Sequence, residues 1–153
     1  MNRIAKLVLT ASLVAMALSS PTVLAQDRYV LQTDVVETVL VPNSLDSLSW
    51  TRVAPLDLEM PRGIERAGAK GCAIFSFNIN GDGVAKNIKT ESVVPSFGLR
   101  RHAKKYLESW RWEPKSGGGI EETVLLRLDF CIGGATKDEA REICEFQATL
   151  PCS

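Results

Sequence analysis

The sequence predicts an α+β fold: a small ββαβ unit in which a three-stranded antiparallel sheet carries one amphipathic helix on one face, with a short C-terminal helix after it. Three stretches predict it. Phe75, Phe77 and Ile79 recur at period two and run into Asn80-Gly81-Asp82-Gly83, whose residue types supply the φ > 0 positions of a tight reversal. Leu99, Ala103, Leu107 and Trp110 form one helical stripe. Val124, Leu126, Leu128 and Phe130 alternate with Leu125, Arg127, Asp129 and Cys131, which makes a second clean strand from Thr123 to Ile132.

The chain of 153 residues starts with basic Arg3 and Lys6, continues with an apolar run from Leu7 to Leu18, and reaches a small residue at Ala25. This is the pattern of an export signal peptide, residues 1–25, with cleavage expected after Ala25 and a periplasmic or secreted product. The competing reading is an uncleaved inner-membrane anchor, for which roughly 20 apolar residues are needed and this run is too short. Cleavage would leave 128 residues, enough for one core. Sixteen basic side chains then face eighteen acidic ones. Such a balance gives no global field to recruit nucleic acid or anionic lipid. Cys72, Cys131, Cys144 and Cys152 behind an export signal imply disulfides.

Residues 26–54 read least clearly. Tyr29-Val30-Leu31 and Val35 to Val41 are strand material, Ser44 to Trp50 is a loop or a short helix, and the segment is expected to be a leading strand or an ordered arm. Residues 55–132 hold the main domain. Ile64 to Gly68 forms one helical turn that stops at Gly68 or Gly71. The hairpin follows, its return strand running from Val84 to about Thr90, with Glu91 to Gly98 as loop. The helix from Leu99 to Trp110 then covers the Phe75, Phe77 and Ile79 face, a burial worth about 5–8 kcal/mol as an upper bound. Pro114 ends helical geometry at Glu113, and Trp110 and Trp112 are expected on different faces. Lys115 to Gly119 is a connector. In the tail, residues 133–153, Thr136-Lys137-Asp138-Glu139 is a capping box that opens a helix to about Phe146. The core is expected to hold Phe75, Phe77, Ile79, Leu99, Leu107, Trp110, Leu128 and Phe130.

Strand parity puts Cys72 and Cys131 on the outer face of the sheet. If the last strand lies antiparallel beside the first, Cys72–Cys131 is within reach, leaving Cys144–Cys152 within the tail. The alternative bonds the tail cysteines to the sheet and pins the tail across its outer face.

The order Met60-Pro61, Ala67, Gly68 and Gly71, strand, Asp82-Gly83 turn, strand, Glu91-Ser92, amphipathic helix, Trp110-Arg111-Trp112-Glu113-Pro114, Gly-rich loop and a strand ending Leu128-Asp129-Phe130 resembles the TonB C-terminal domain family over about residues 55–130. Met60 stands where that family usually has Tyr. The resemblance implies a protein-binding module of envelope or outer-membrane transport, which contacts outer-membrane receptor peptides by β-strand addition. It places the partner-binding edge on Thr123, Val124, Leu125, Leu126, Arg127, Leu128 and Asp129. Pairing of Val35 to Val41 with that edge would block the addition. Force-transmitting members use an anchor and a long Pro-rich spacer. Residues 26–55, at roughly 3.5 Å each, reach only about 100 Å, so a free module, monomeric or weakly dimeric and without stable membrane insertion, is expected. The other reading is a small secreted structural or inhibitory protein on the same fold.

Neither a cofactor nor a metal nor an enzymatic role is expected. His102 lies in the basic run Arg100 to Lys105 with no orienting partner in the sequence, and that run reads as a solvated helix face rather than a site for acidic partners or lipid headgroups. Asn78-x-Asn80-x-Asp82-Gly83 imitates a calcium loop, but Lys89 stands at its twelfth position. Glu121-Glu122 point to opposite faces of a strand, and Asp138-Glu139 serve a helix start. Trp112 reads as a core plug before a peptide anchor, and the role of Trp50 stays open.

Overall fold

The structure, a computed structural model, describes residues 30–116 and 119–153. The signal peptide and its cleavage site therefore lie outside the described residues, as does Tyr29. In chain order the elements are β1 (Thr33–Val41), β2 (Trp50–Ala54), α1 (Arg62–Arg66), β3 (Gly71–Ile79), β4 (Ala85–Val94), α2 (Arg100–Glu108), β5 (Arg111–Pro114), β6 (Glu122–Ile132) and α3 (Lys137–Ala148). The main sheet has four antiparallel strands in the order β1-β6-β3-β4, and β2 and β5 form a separate ribbon. The expected sheet had three strands; β1 is the addition.

The hairpin forms as the sequence requires. Gly83 adopts φ +69°, its N–H donates to the Asn80 carbonyl at 2.9 Å, and the Val84 N–H donates to Asn80 Oδ1 at 3.1 Å. Only glycine fits at position 83 for a second reason. Its carbonyl accepts from the Trp112 N–H at 2.9 Å, and a Cβ there would overlap the Trp112 carbonyl. The return strand is longer than expected, running through Glu91 to Val94 because Ser92, Val93 and Val94 still pair with Ile74, Ala73 and Cys72.

Odd-numbered residues of β1 and β3 and even-numbered residues of β6 share one face. Phe75 lies opposite Leu126, Ala73 opposite Leu128, and Val35 opposite Phe130. The α2 stripe of Leu99, Ala103 and Leu107 covers this face, and all the expected core residues are buried to 1% exposure or less. Trp110 is in the core but not in the helix, which ends at Glu108. From there the chain is extended, and in extended chain residues two apart share a side. Trp110 and Trp112 therefore both point inward, with ring centroids 6.0 Å apart, against the expectation of different faces. Trp50 on β2 closes the same core, its indole N–H donating to the Ile120 carbonyl at 3.0 Å.

The third layer, α3, lies on the outer face. Thr136 caps it, accepting from the Glu139 N–H at 3.2 Å, while Glu139 reaches back to the Ala135 N–H at 2.6 Å. The disulfides are Cys72–Cys152 and Cys131–Cys144, with Cα separations of 5.8 and 5.4 Å. The parity argument for Cys72–Cys131 was right about the face and wrong about the partner. Cys131 lies across from Asp34 of β1, and β6 pairs Cys72 with Asp129 instead. Each outer-face sulfur meets the tail that runs over it.

Candidate partner-binding edge

The strand from Thr123 to Asp129 is not an edge. β6 lies between β1 and β3, paired on both sides, so its backbone is closed to an incoming strand. Val124, Leu126 and Leu128 are core residues with no exposure. Arg127 and Asp129 are buried beneath α3. The guanidinium donates twice to the Asp129 carboxylate, at 2.7 and 2.9 Å, and to the carbonyls of Gln147 at 3.0 Å and Leu150 at 2.7 Å. Gln147 lies in the last turn of α3 and Leu150 just beyond it, so Arg127 ties the C-terminal end of that helix to the sheet and places a cation there. Leu125 is half-buried, and only Thr123 of the seven is exposed, with its hydroxyl on Asn78 Oδ1 at 3.3 Å.

The edge moves to the strands that flank the sheet, and the two differ. Along β4 the register with β3 breaks between Ile74 and Phe75 and again between Ser76 and Asn78. Asn87 adopts φ +55°, and Lys86 and Lys89 stand exposed. Bulges and lysines are how a sheet blunts an edge against further pairing. β1 carries a single irregularity, between Val39 and Val41 near its end, and no lysine of its own. Its register against β6 is unbroken from Thr33 to Val39, and it is rich in β-branched residues. Among the described residues no backbone–backbone hydrogen bond joins its outer side to another element; Lys137 of α3 donates its ammonium to the Thr33 carbonyl at 3.1 Å.

Side chains build a shallow groove along this edge. On the core side stand Glu37, Arg52, Leu56 and Leu58, on the other Arg141, around a volume of about 210 Å³. Glu37 and Arg52 form an ion pair at 2.8 Å, and the Arg52 guanidinium lies 4.7 Å from the Trp110 ring centroid, a cation–π arrangement. Burial pushes the Glu37 carboxyl above its ordinary range, and Arg52 opposes that shift. Burial likewise raises the Tyr106 hydroxyl, while the Glu59 N–H that donates to it at 3.2 Å acts the other way. Asp34, at the start of the strand, holds Arg141 of α3 at 2.7 Å.

No family model matches the chain, and no curated protein matches it. Among solved structures it is similar to the solution NMR structure of the Pseudomonas aeruginosa TonB C-terminal domain. The two share 22% identity at a TM-score of 0.42, over 59% of this chain and 90% of that one.

Chemically the β1 edge offers backbone donors and acceptors. His102 packs over α1, where a Cβ at Gly63 would overlap its ring, and among the described residues no hydroxyl or carboxylate hydrogen-bonds to it. Among those residues no three His, Cys, Asp or Glu side chains converge as metal ligands, and all four cysteines are in disulfides. No helix among them is long and apolar enough to cross a membrane. Val35 to Val41, read from sequence as strand material, is the strand that pairs with β6 and so blocks addition at Thr123 to Asp129; the edge expected there lies on β1 instead.

Proposed function

We propose that this chain is a non-enzymatic protein-binding module of an oxidising, extracytoplasmic compartment, and that it takes an extended segment of a partner protein as an added strand on the outer side of β1. The observation that carries the reading is the contrast between the two sheet edges: β4 is broken by two irregularities and defended by Lys86 and Lys89, whereas Thr33 to Val39 is in regular register with β6 and has no strand on its outer side, where only Lys137 of α3 reaches the Thr33 carbonyl. In strand addition main-chain hydrogen bonds supply affinity and alternate side-chain pockets supply selectivity. The groove beside Leu56 and Arg141 offers such pockets on both faces of an incoming strand. Two disulfides fit an oxidising compartment, as does the leader-like N-terminus. The link to envelope transport, with an outer-membrane receptor peptide as partner, comes from the sequence resemblance to TonB C-terminal domains.

Amide-resolved NMR tests the reading, with short peptides from the plug regions of outer-membrane receptors titrated into the protein. Shift changes concentrated on Thr33 to Val41 are expected, together with slowed amide exchange there. Changes on Ala85 to Val94 instead, or none at millimolar peptide, would overturn it.

A further inference from the structure

The full chain carries as many basic as acidic side chains, eighteen of each, yet the fold sorts them by layer. α2, on one face of the sheet, presents Arg100, Arg101, Lys104 and Lys105 against the single acid Glu108. α3, on the other face, presents Asp138, Glu139, Glu142 and Glu145 against Lys137 and Arg141. The three ion pairs found among the described residues lie elsewhere and leave the α2 cations free. A chain that is neutral overall, or slightly acidic once residues 1–25 are removed, thus has one basic side. Interactions within a Debye length, about 8–10 Å, are set by that side and not by the total.

At the N-terminal end of α2 the loop projects Phe97, whose ring is 91% exposed. Gly98, at φ +76°, turns the chain back so closely that a Cβ there would be in contact with Ala67 and Ala69. The loop thus lies beside the end of α1, where the neighbours of Ala67 and Ala69 in sequence, Arg66 and Lys70, are exposed. An exposed aromatic ring beside unpaired cations matches the interface of a bilayer, where the ring enters the acyl boundary and the cations meet headgroup phosphates.

We infer that the α2 face, with Phe97 as its apolar tip, docks reversibly on an anionic lipid bilayer. Charge complementarity selects that occupant: a neutral surface gains nothing from the α2 cations, and an apolar protein groove gains nothing from leaving four of them unpaired. Docked this way, the molecule turns α3 and its acids outward. The β1 edge, on the far side of the sheet from β4, stays open to solution, so the docking does not depend on the strand-addition reading.

Co-sedimentation of the protein, purified as cells process it, tests this with vesicles of pure phosphatidylcholine and with vesicles containing phosphatidylglycerol at about 40%. The expected result is at least tenfold stronger partitioning to the anionic vesicles, falling severalfold between about 50 and 300 mM salt. Phe97→Ser and the pair Arg101→Glu with Lys105→Glu should each reduce it at least fivefold with unchanged thermal melting. Phe146→Ser, which removes the 67% exposed ring on the acidic layer, should leave it unchanged. Equal partitioning to both vesicle types, no partitioning, or insensitivity to Phe97→Ser would overturn the inference. So would capture by a polyglutamate peptide in place of vesicles, which would assign the basic face to an acidic protein.

Discussion

Replacing Asp129 by Asn keeps the shape of the side chain and removes its charge, which isolates what the carboxylate contributes beneath α3. In the native chain Asp129 is fully buried and Arg127 is 8% exposed. Each carboxylate oxygen accepts from the guanidinium, and Oδ1 also accepts from Gln147 Nε2 at 3.1 Å. Without the carboxylate a buried guanidinium keeps its two carbonyl partners but loses its counter-charge, a loss that typically costs about 3–5 kcal/mol. For a chain of this size that is a fall in melting temperature of about 10–20 °C. Urea unfolding of the oxidised protein, followed by tryptophan fluorescence, measures it. A loss below about 1 kcal/mol would refute the assignment of Arg127 and Asp129 as the clamp of α3. The double variant Arg127→Met with Asp129→Leu sharpens the test, because removing both charges should recover much of what the single change loses.

Glu37 should make stability fall as pH rises. Its carboxyl titrates above the ordinary range in the folded state, so the folded chain holds that proton more tightly than the unfolded chain does, and the contribution is lost as pH rises from the ordinary glutamate range through the higher folded-state value. Subtracting the urea midpoints of Glu37→Gln from those of the native chain should expose this slope, and parallel curves would contradict it. Gly83→Ala combines a left-handed backbone with an overlap on the Trp112 carbonyl, and should destabilise by at least about 1–3 kcal/mol in the same assay. Peptide mapping without reduction should recover Cys72 with Cys152 and Cys131 with Cys144. In the chain-entropy model, loops of 80 and 13 residues are worth about 4.5 and 3 kcal/mol, so Cys152→Ala should be the more damaging change. Leu107→Asp, which puts a charge at a fully buried position under the sheet, should prevent folding, seen as loss of dispersed amide resonances.

What was legible in the sequence was whatever a local pattern decides. The hairpin, the α2 stripe, the β6 alternation and the Thr136 cap all follow from residues within a few positions of one another, and all formed. The features that were misread are decided by distant partners. Trp110 fits the helical stripe by spacing, but Trp112 is tied to Gly83 almost 30 residues away, and that draws the chain out straight after Glu108. β2 is strand only because β5 pairs with it. The disulfides depend on where the tail lies, and no parity rule on the sheet can show that.

The leading strand shows why the site itself was harder to see than the fold. Val35, Glu37 and Val39 all face the core; the segment reads as strand material, but a glutamate at the middle position hides which of its faces is buried. The charge is tolerated because Arg52 of β2 pairs with it and stacks on Trp110, two contacts that no window along the chain contains. Once β1 is in place the candidate edge is displaced by one strand, about 4.8 Å, and an open sheet of four strands still has two edges. Which of them accepts a partner is then a matter of what each is built to refuse. β4 spends two irregularities, a left-handed Asn87 and two lysines on refusal, while β1 leaves seven residues in unbroken register facing a groove.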